Sequence, residues 1–107
     1  MRGELWTIAG GVYASKPRPA LIIQADHFAN TDSVTVVPLT TTALDAPLLR
    51  VPISATPETG LAVNSWAMID KLTTARRSNL GHHLGRISPT DLTTIERLIA
   101  VFLGLAR

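Results

Sequence analysis

The chain contains no cysteine, so neither a disulfide framework nor a thiolate zinc site can hold it together. Stability must come from a hydrophobic core, and 107 residues suffice for one domain over 1–107, since a chain of this length buries roughly 65% of its unfolded surface. There is no repeat, no low-complexity tract and no linker. The longest apolar run, Leu98 to Leu103, is far too short to span a bilayer, and Met1–Thr7 lacks the continuous apolar stretch of a signal peptide. We therefore expect a soluble, cytoplasmic protein with no membrane partner. Net charge is only +2. Acidic residues are nonetheless missing from the whole stretch Lys71 to Arg86, which carries Lys71, Arg76, Arg77 and Arg86 with His82 and His83. Such a segment is either an ordinary solvated face or the footprint of a polyanion.

Hydrophobic residues make up 46% of the chain and the mean hydropathy is +0.23. For so small a domain, that excess predicts apolar surface covered by another subunit. The first two thirds read as strands. Glu4–Ile8 alternates as a half-buried strand, and Gly10-Gly11 opens a loop expected to last until Arg18. Ala20–Gln24 and Ser33–Leu39 form an antiparallel pair across the turn-rich Asp26–Asp32. Leu48–Ile53 is a fourth strand, placed at an edge by Pro52; Thr56–Gly60 is a turn and Ala62–Asp70 a fifth strand. The carboxyl end changes period. Ser88 is an N-cap with Pro89 at the first helical position and Asp91 at N3. Leu92, Ile95, Leu98, Ile99 and Phe102 then recur at helical spacing until Gly104. A helix covering so small and twisted a sheet predicts a mainly β fold curled into a partly closed barrel.

Two segments bear on chemistry. In Lys16-Pro17-Arg18-Pro19 the two prolines leave Arg18 few backbone states, which pre-organises its guanidinium at the entrance of an apolar strand. Val34–Leu39 ends in Thr40-Thr41-Thr42, and a guanidinium with a hydroxyl at two strand ends can grip one phosphate. Each feature has a plainer reading. An isolated arginine is more often part of a surface ion pair, and threonines at a strand end often satisfy their own backbone. His82 and His83 are adjacent and so face opposite sides of a strand, which argues against a metal site. Trp6 and Trp66 read as core or subunit-interface anchors rather than base-stacking platforms.

Five blocks in order carry a resemblance: Arg2-Gly3-Glu4-Leu5-Trp6, Arg18-Pro19-Ala20-Leu21-Ile22-Ile23, Val36-Val37-Pro38-Leu39-Thr40, Met68-Ile69-Asp70-Lys71, and Leu84-Gly85-Arg86-Ile87-Ser88 before the helix. Together they resemble the MazF/PemK (Kid) toxins over nearly the whole chain. The resemblance implies an SH3-like, MazF/CcdB-like barrel of five to six strands with a C-terminal amphipathic helix. It also implies a homodimer and a toxin of a type II toxin–antitoxin system inhibited by a cognate antitoxin. The activity it implies is sequence-specific cleavage of single-stranded RNA without metal or other cofactor, by 2′-hydroxyl attack leaving 2′,3′-cyclic phosphate and 5′-hydroxyl ends. Matched position by position, Arg18 and Thr40 are the catalytic pair and Asp70 falls where members touch RNA; Lys16, Thr41, Lys71, Arg76 and Arg77 are further residues expected to contact RNA. A guanidinium fork and a hydroxyl stabilise the charge that grows on the phosphate in such an attack. Arginine is a poor general base, so the base is not identified.

Departures from the family are local. Ala9–Pro17 lacks the Gly-Ser-Glu sequence of many members, and the basic residue they carry two positions after the acidic one is here Leu72. Two other functions fit the same fold: a CcdB-like gyrase poison, which acts through a tryptophan near the carboxyl terminus that this chain lacks, and a non-catalytic SH3-like module binding RNA or protein.

Overall fold

A computed structural model describes residues 1–10 and 14–106. Seven strands and one helix form the frame: β1 (Glu4–Gly10), β2 (Ala14–Ile22), β3 (Ser33–Thr40), β4 (Arg50–Ile53), β5 (Ser65–Met68), β6 (Thr73–Arg76), β7 (Leu80–Arg86) and α1 (Pro89–Phe102). Single 3-10 turns at Asp26–Phe28, Ile69–Lys71 and Arg77–Asn79 lie between strands. The sheet runs β4-β5-β3-β2-β1-β7, with β6 also paired to β3. Among the described residues every pairing is antiparallel and the path does not close into a ring. No helix among them is long and apolar enough to cross a membrane.

Mainly β with one C-terminal helix is therefore the fold, but its seven strands exceed the expected five or six. β6 and β7 come from the basic segment after Lys71, while the fifth strand stops at Met68 and passes into a 3-10 turn. A second correction concerns β2. It begins at Ala14, so Arg18 sits within a strand rather than at the end of a loop reaching from Gly10; residues 11–13 of that expected loop lie outside the described residues.

The prolines explain the ladder. Ile23 donates its N–H to Thr35 O and Gly3 donates to Ile22 O. Odd residues of β2 therefore turn their backbone toward β3 and even ones toward β1. Pro17 and Pro19 are odd, and their missing donors fall on the β3 side, where pairing starts only at Ala20 with Pro38. Pro38 in turn faces away from β2, at the point where β3 ends its pairing with β6 at Val36 and begins with β5 at Leu39. Each proline stands where no ladder bond is needed. Pro52 lies in β4, an end of the sheet as expected.

Alternation gives the sheet two apolar faces. Leu5, Leu21, Val37, Leu39, Val51, Ile53 and Ala67 bury one face under Ile95 of α1, with Leu92, Leu98 and Ile99 around it. Ser88 Oγ accepts from the Asp91 N–H at 3.1 Å, and Gly104 at φ +76° lies just past the last turn, so both expected ends of the helix hold. Ile8, Ala20, Ile22, Val34 and Val36 form a smaller cluster on the other face, flanked by Trp6, Ala75 and Leu80. The outer edge of β7 is covered near its end, where Arg86 donates to Glu58 O at 2.8 Å. The approach is so close that a Cβ on Gly85 would lie 2.2 Å from Glu58 O.

Candidate functional site

Arg18 lies on β2 opposite Ile8 of β1 and is exposed. Thr40 ends β3, half-buried, with its Oγ1 accepting the Thr42 N–H at 3.1 Å. The β2–β3 pairs are Ile22 with Val36, Leu21 with Val37, and Ala20 with Pro38. Continuing that register by two residues sets Arg18 opposite Thr40. Residues directly opposite in an antiparallel pair share a face, with Cβ atoms roughly 5 Å apart. On that register both side chains would extend the face that buries Ala20, Ile22 and Val36, at the end where the two strands leave their ladder.

The register of β2 also changes beside Arg18. Ile8 pairs with Arg18 but Gly10 pairs with Ala14, so β2 spends four residues where β1 spends two. A bulge spanning Ser15, Lys16 and Pro17 accommodates the excess; bulges bend a strand and re-aim the side chains beside them. Lys16, within this bulge, is exposed. Thr41, also exposed, follows Thr40 directly. Lys16 and Arg18 on β2 therefore lie beyond the last β2–β3 pair, toward the end of β3 that carries Thr40 and Thr41.

The remaining sequence-derived candidates sit elsewhere. Arg76 pairs with Ser33 at the opposite end of β3 from Thr40, seven residues away and so roughly 23 Å along the strand. Arg77 is engaged in the fold: its Nε donates to Thr31 O at 2.8 Å and its Nη2 to Ser33 O at 3.3 Å, which pins the turn before β3. Asp70 and exposed Lys71 fall in the 3-10 turn after β5. Asp70 forms an ion pair with Arg50, whose side chain is only 9% exposed and which also donates to Leu49 O.

Arg50 and Trp66 are the neighbours that the sequence reading passed over as site residues. A charge inside the apolar Leu48-Leu49-Arg50-Val51 run needs a buried partner, and Asp70 after Met68-Ile69 was the available acid; that was the signal for Arg50. Trp66 pairs directly with Thr40 on one side and Pro52 on the other. Trp6 is different in character. Its Nε1 donates to Glu4 Oε1 at 3.2 Å and its ring meets His83 edge-on at 5.3 Å. Burial pushes the Glu4 carboxyl up, but the Met1 amine, the Trp6 N–H and His83 outweigh it and hold Glu4 below the ordinary carboxylate range. Among the described residues no three His, Asp or Glu side chains gather as a metal-binding group.

A small antiparallel sheet with a capping C-terminal helix, carrying an arginine and a threonine at its open end, is the fold of the MazF-type toxins. An endoribonuclease solved in complex with its cognate antitoxin, from a mycobacterial species, superposes at a TM-score of 0.81 with 27% identity, over 100% of this chain and 97% of that one. In sequence, residues 1–103 match the family described as PemK-like, MazF-like toxin of type II toxin-antitoxin system. A protein of Mycolicibacterium smegmatis named probable endoribonuclease MazF is 55% identical over 106 residues, covering 98% of this chain and 97% of its own. Endoribonuclease MazF9 of Mycobacterium tuberculosis is 29% identical over 97% of this chain and 96% of its own. The chain belongs to the PemK-like, MazF-like toxin family.

Proposed function

We propose that this chain is a toxin endoribonuclease that cuts single-stranded RNA at a phosphate gripped by Arg18 and Thr40. The observation that carries the reading is the β2–β3 register, observed as far as Ala20 with Pro38, whose continuation by two residues would set Arg18 opposite Thr40. The 2′-hydroxyl of the nucleotide before the cut attacks the adjacent phosphorus; the new P–O2′ bond forms as the P–O5′ bond breaks. The products are a 2′,3′-cyclic phosphate and a 5′-hydroxyl, the proton lost by the 2′-oxygen being balanced by one gained at the 5′-oxygen. Negative charge grows on the non-bridging oxygens during the attack. A planar guanidinium offers them two parallel N–H donors and the Thr40 hydroxyl a third, held in advance by the strands. No metal is required in this scheme. Arg18 also serves as the candidate donor to the leaving 5′-oxygen.

Lys16, Thr41, Lys71 and Arg76 are assigned to the RNA backbone, while Arg77 and Asp70 shape the surface through the bonds described above. A second copy of the chain and a cognate antitoxin are the expected partners, and the cytoplasm, where the messages are, the expected site of action. Support for the antitoxin comes from the family itself and from the relative solved with its own antitoxin. One substitution in the substrate tests the mechanism. In an RNA that the protein cuts, replacing the single scissile ribose by 2′-deoxyribose should abolish that cut and leave other cuts intact. Persistence of the cut on the deoxy substrate would rule out internal attack.

A further inference from the structure

The two tryptophans divide into one committed ring and one uncommitted ring. Trp6 is fastened by Glu4 and His83. Trp66 is half-buried, and among the described residues no ring–ring contact involves it. Its place in the sheet gives it a neighbour with chemistry. Trp66 is the direct cross-strand partner of Thr40, and exposed Pro52 is the partner of Trp66 on the other side. A single row therefore crosses the sheet as Pro52, Trp66, Thr40 and, by the continued register, Arg18, all on one face. With strands roughly 4.8 Å apart, Trp66 stands about 5 Å from Thr40 and about 10 Å from Arg18. A phosphate held between Arg18 and Thr40 leaves the base of a flanking nucleotide within reach of the indole.

A shallow cavity of about 270 Å³ lies at the β4 edge of that row. Trp66 and Pro52 line it with Leu44, Asp45 and Pro47 from the loop after β3, and Arg50, Thr94 and Leu98 complete a wall of mixed apolar and polar character. Leu44 is 54% exposed, leaving this wall open to solvent. Stacking on an aromatic face is strong enough to fix a nucleotide, and differences in stacking strength give it a modest preference among bases; proline beside tryptophan gives the slot a second apolar surface.

We propose that Trp66, backed by Pro52 and the Leu44–Pro47 loop, is the stacking platform for the base next to the scissile phosphate and sets base preference at that position. The proposal rests on the Arg18–Thr40 reading for the location of the phosphate. Continuity with that pair favours a nucleobase as occupant over an apolar side chain of a protein partner.

Two space-filling variants separate stacking from packing: Trp66→Phe keeps a π-face, whereas Trp66→Leu keeps apolar bulk without one. Unchanged melting curves establish that both remain folded. With a long single-stranded RNA as substrate and sequencing of the cut ends, Trp66→Leu should cut about tenfold to a hundredfold more slowly and lose base preference at one position flanking the cut. Trp66→Phe should recover most of both. A fully 2′-O-methylated, random-sequence single strand, which offers no attacking hydroxyl, should quench tryptophan fluorescence in the parent and not in Trp66→Phe. Unaltered rate and preference in folded Trp66→Leu would overturn the platform while leaving the Arg18–Thr40 reading standing. Quenching at Trp66 by a protein that cuts no RNA would reject that reading and leave the platform. Absence of quenching by the RNA analogue, with quenching by an antitoxin peptide instead, would assign the slot to the protein partner and overturn the proposal.

Discussion

At the scale of single residues, Arg18 and Arg50 show how neighbours decide what one side-chain type does. Arg50 is nearly buried and tied to Asp70 and a backbone carbonyl, so its charge is spent inside the fold. Arg18 is exposed on a bulged strand and engaged in no ion pair among the described residues, and we assign its fork to the RNA phosphate. We expect Arg18→Lys to lose cleavage nearly as fully as Arg18→Ala, about a hundredfold or more, while both melt like the parent, because lysine keeps charge but not the bidentate plane. A near-normal rate for Arg18→Lys would reject the clamp. Removing one member of a largely buried ion pair leaves the other unpaired. Asp70→Asn should therefore cost about 3 kcal/mol of folding stability in denaturant titration, and an unchanged midpoint would show the pair to be idle. Arg18 and Thr40 were legible as candidates because proline-locked and hydroxyl-rich strand ends are local signals. The Arg50–Asp70 pair and the Thr40–Trp66 contact were not, since both join residues at least twenty positions apart and depend on register.

Elements show the same division between local and long-range information. The helix was readable from its cap, its period and its glycine stop, all of them local. β6 and β7 were hidden because they are short and polar: β6 has no fully buried position, and β7 alternates poorly through Gly81, His82 and His83. They are strands because β3 and β1 offer them edges. Pro52, in contrast, read correctly as a mark of unpaired backbone in β4, whereas the loop expected from Gly10-Gly11 up to Arg18 is strand from Ala14, where the unpaired side accommodates Pro17 and Pro19. Crowding at the β7 edge gives a test of the element itself. Gly85→Ala would force its Cβ against Glu58 O and Thr59, and we expect about 2 kcal/mol of destabilisation, seen as a melting temperature lower by roughly 10 °C. An unshifted melt would mean that the turn does not lie on β7. The Glu4 cluster joining β1 to β7 adds a pH signature. A carboxyl held below its unfolded value contributes stability above the ordinary carboxylate range and loses it as pH falls through its folded value. From about pH 5 to about pH 3, Glu4→Gln should therefore lose less stability than the parent; parallel losses would contradict the cluster.

Across the whole molecule, the hydrophobic excess of the sequence is only partly consumed by the two core layers. Val101, Phe102, Leu103 and Leu105 remain 40% to 78% exposed around the end of α1, in keeping with a chain that covers apolar surface through association. The cations likewise separate into two zones, Lys16 and Arg18 at one end of the sheet and Arg76 at the other, a layout that suits an extended polyanion better than a compact one. Family, fold and this charge layout converge on one activity. The measurement that tests it most directly is incubation of the purified protein with a long single-stranded RNA in EDTA, followed by chemical mapping of both new ends. We expect cutting at defined sequences that leaves 2′,3′-cyclic phosphate and 5′-hydroxyl termini and vanishes in Arg18→Ala. Cutting that requires added Mg²⁺, or that leaves 5′-phosphate ends, would contradict phosphate capture and internal attack at Arg18 and Thr40.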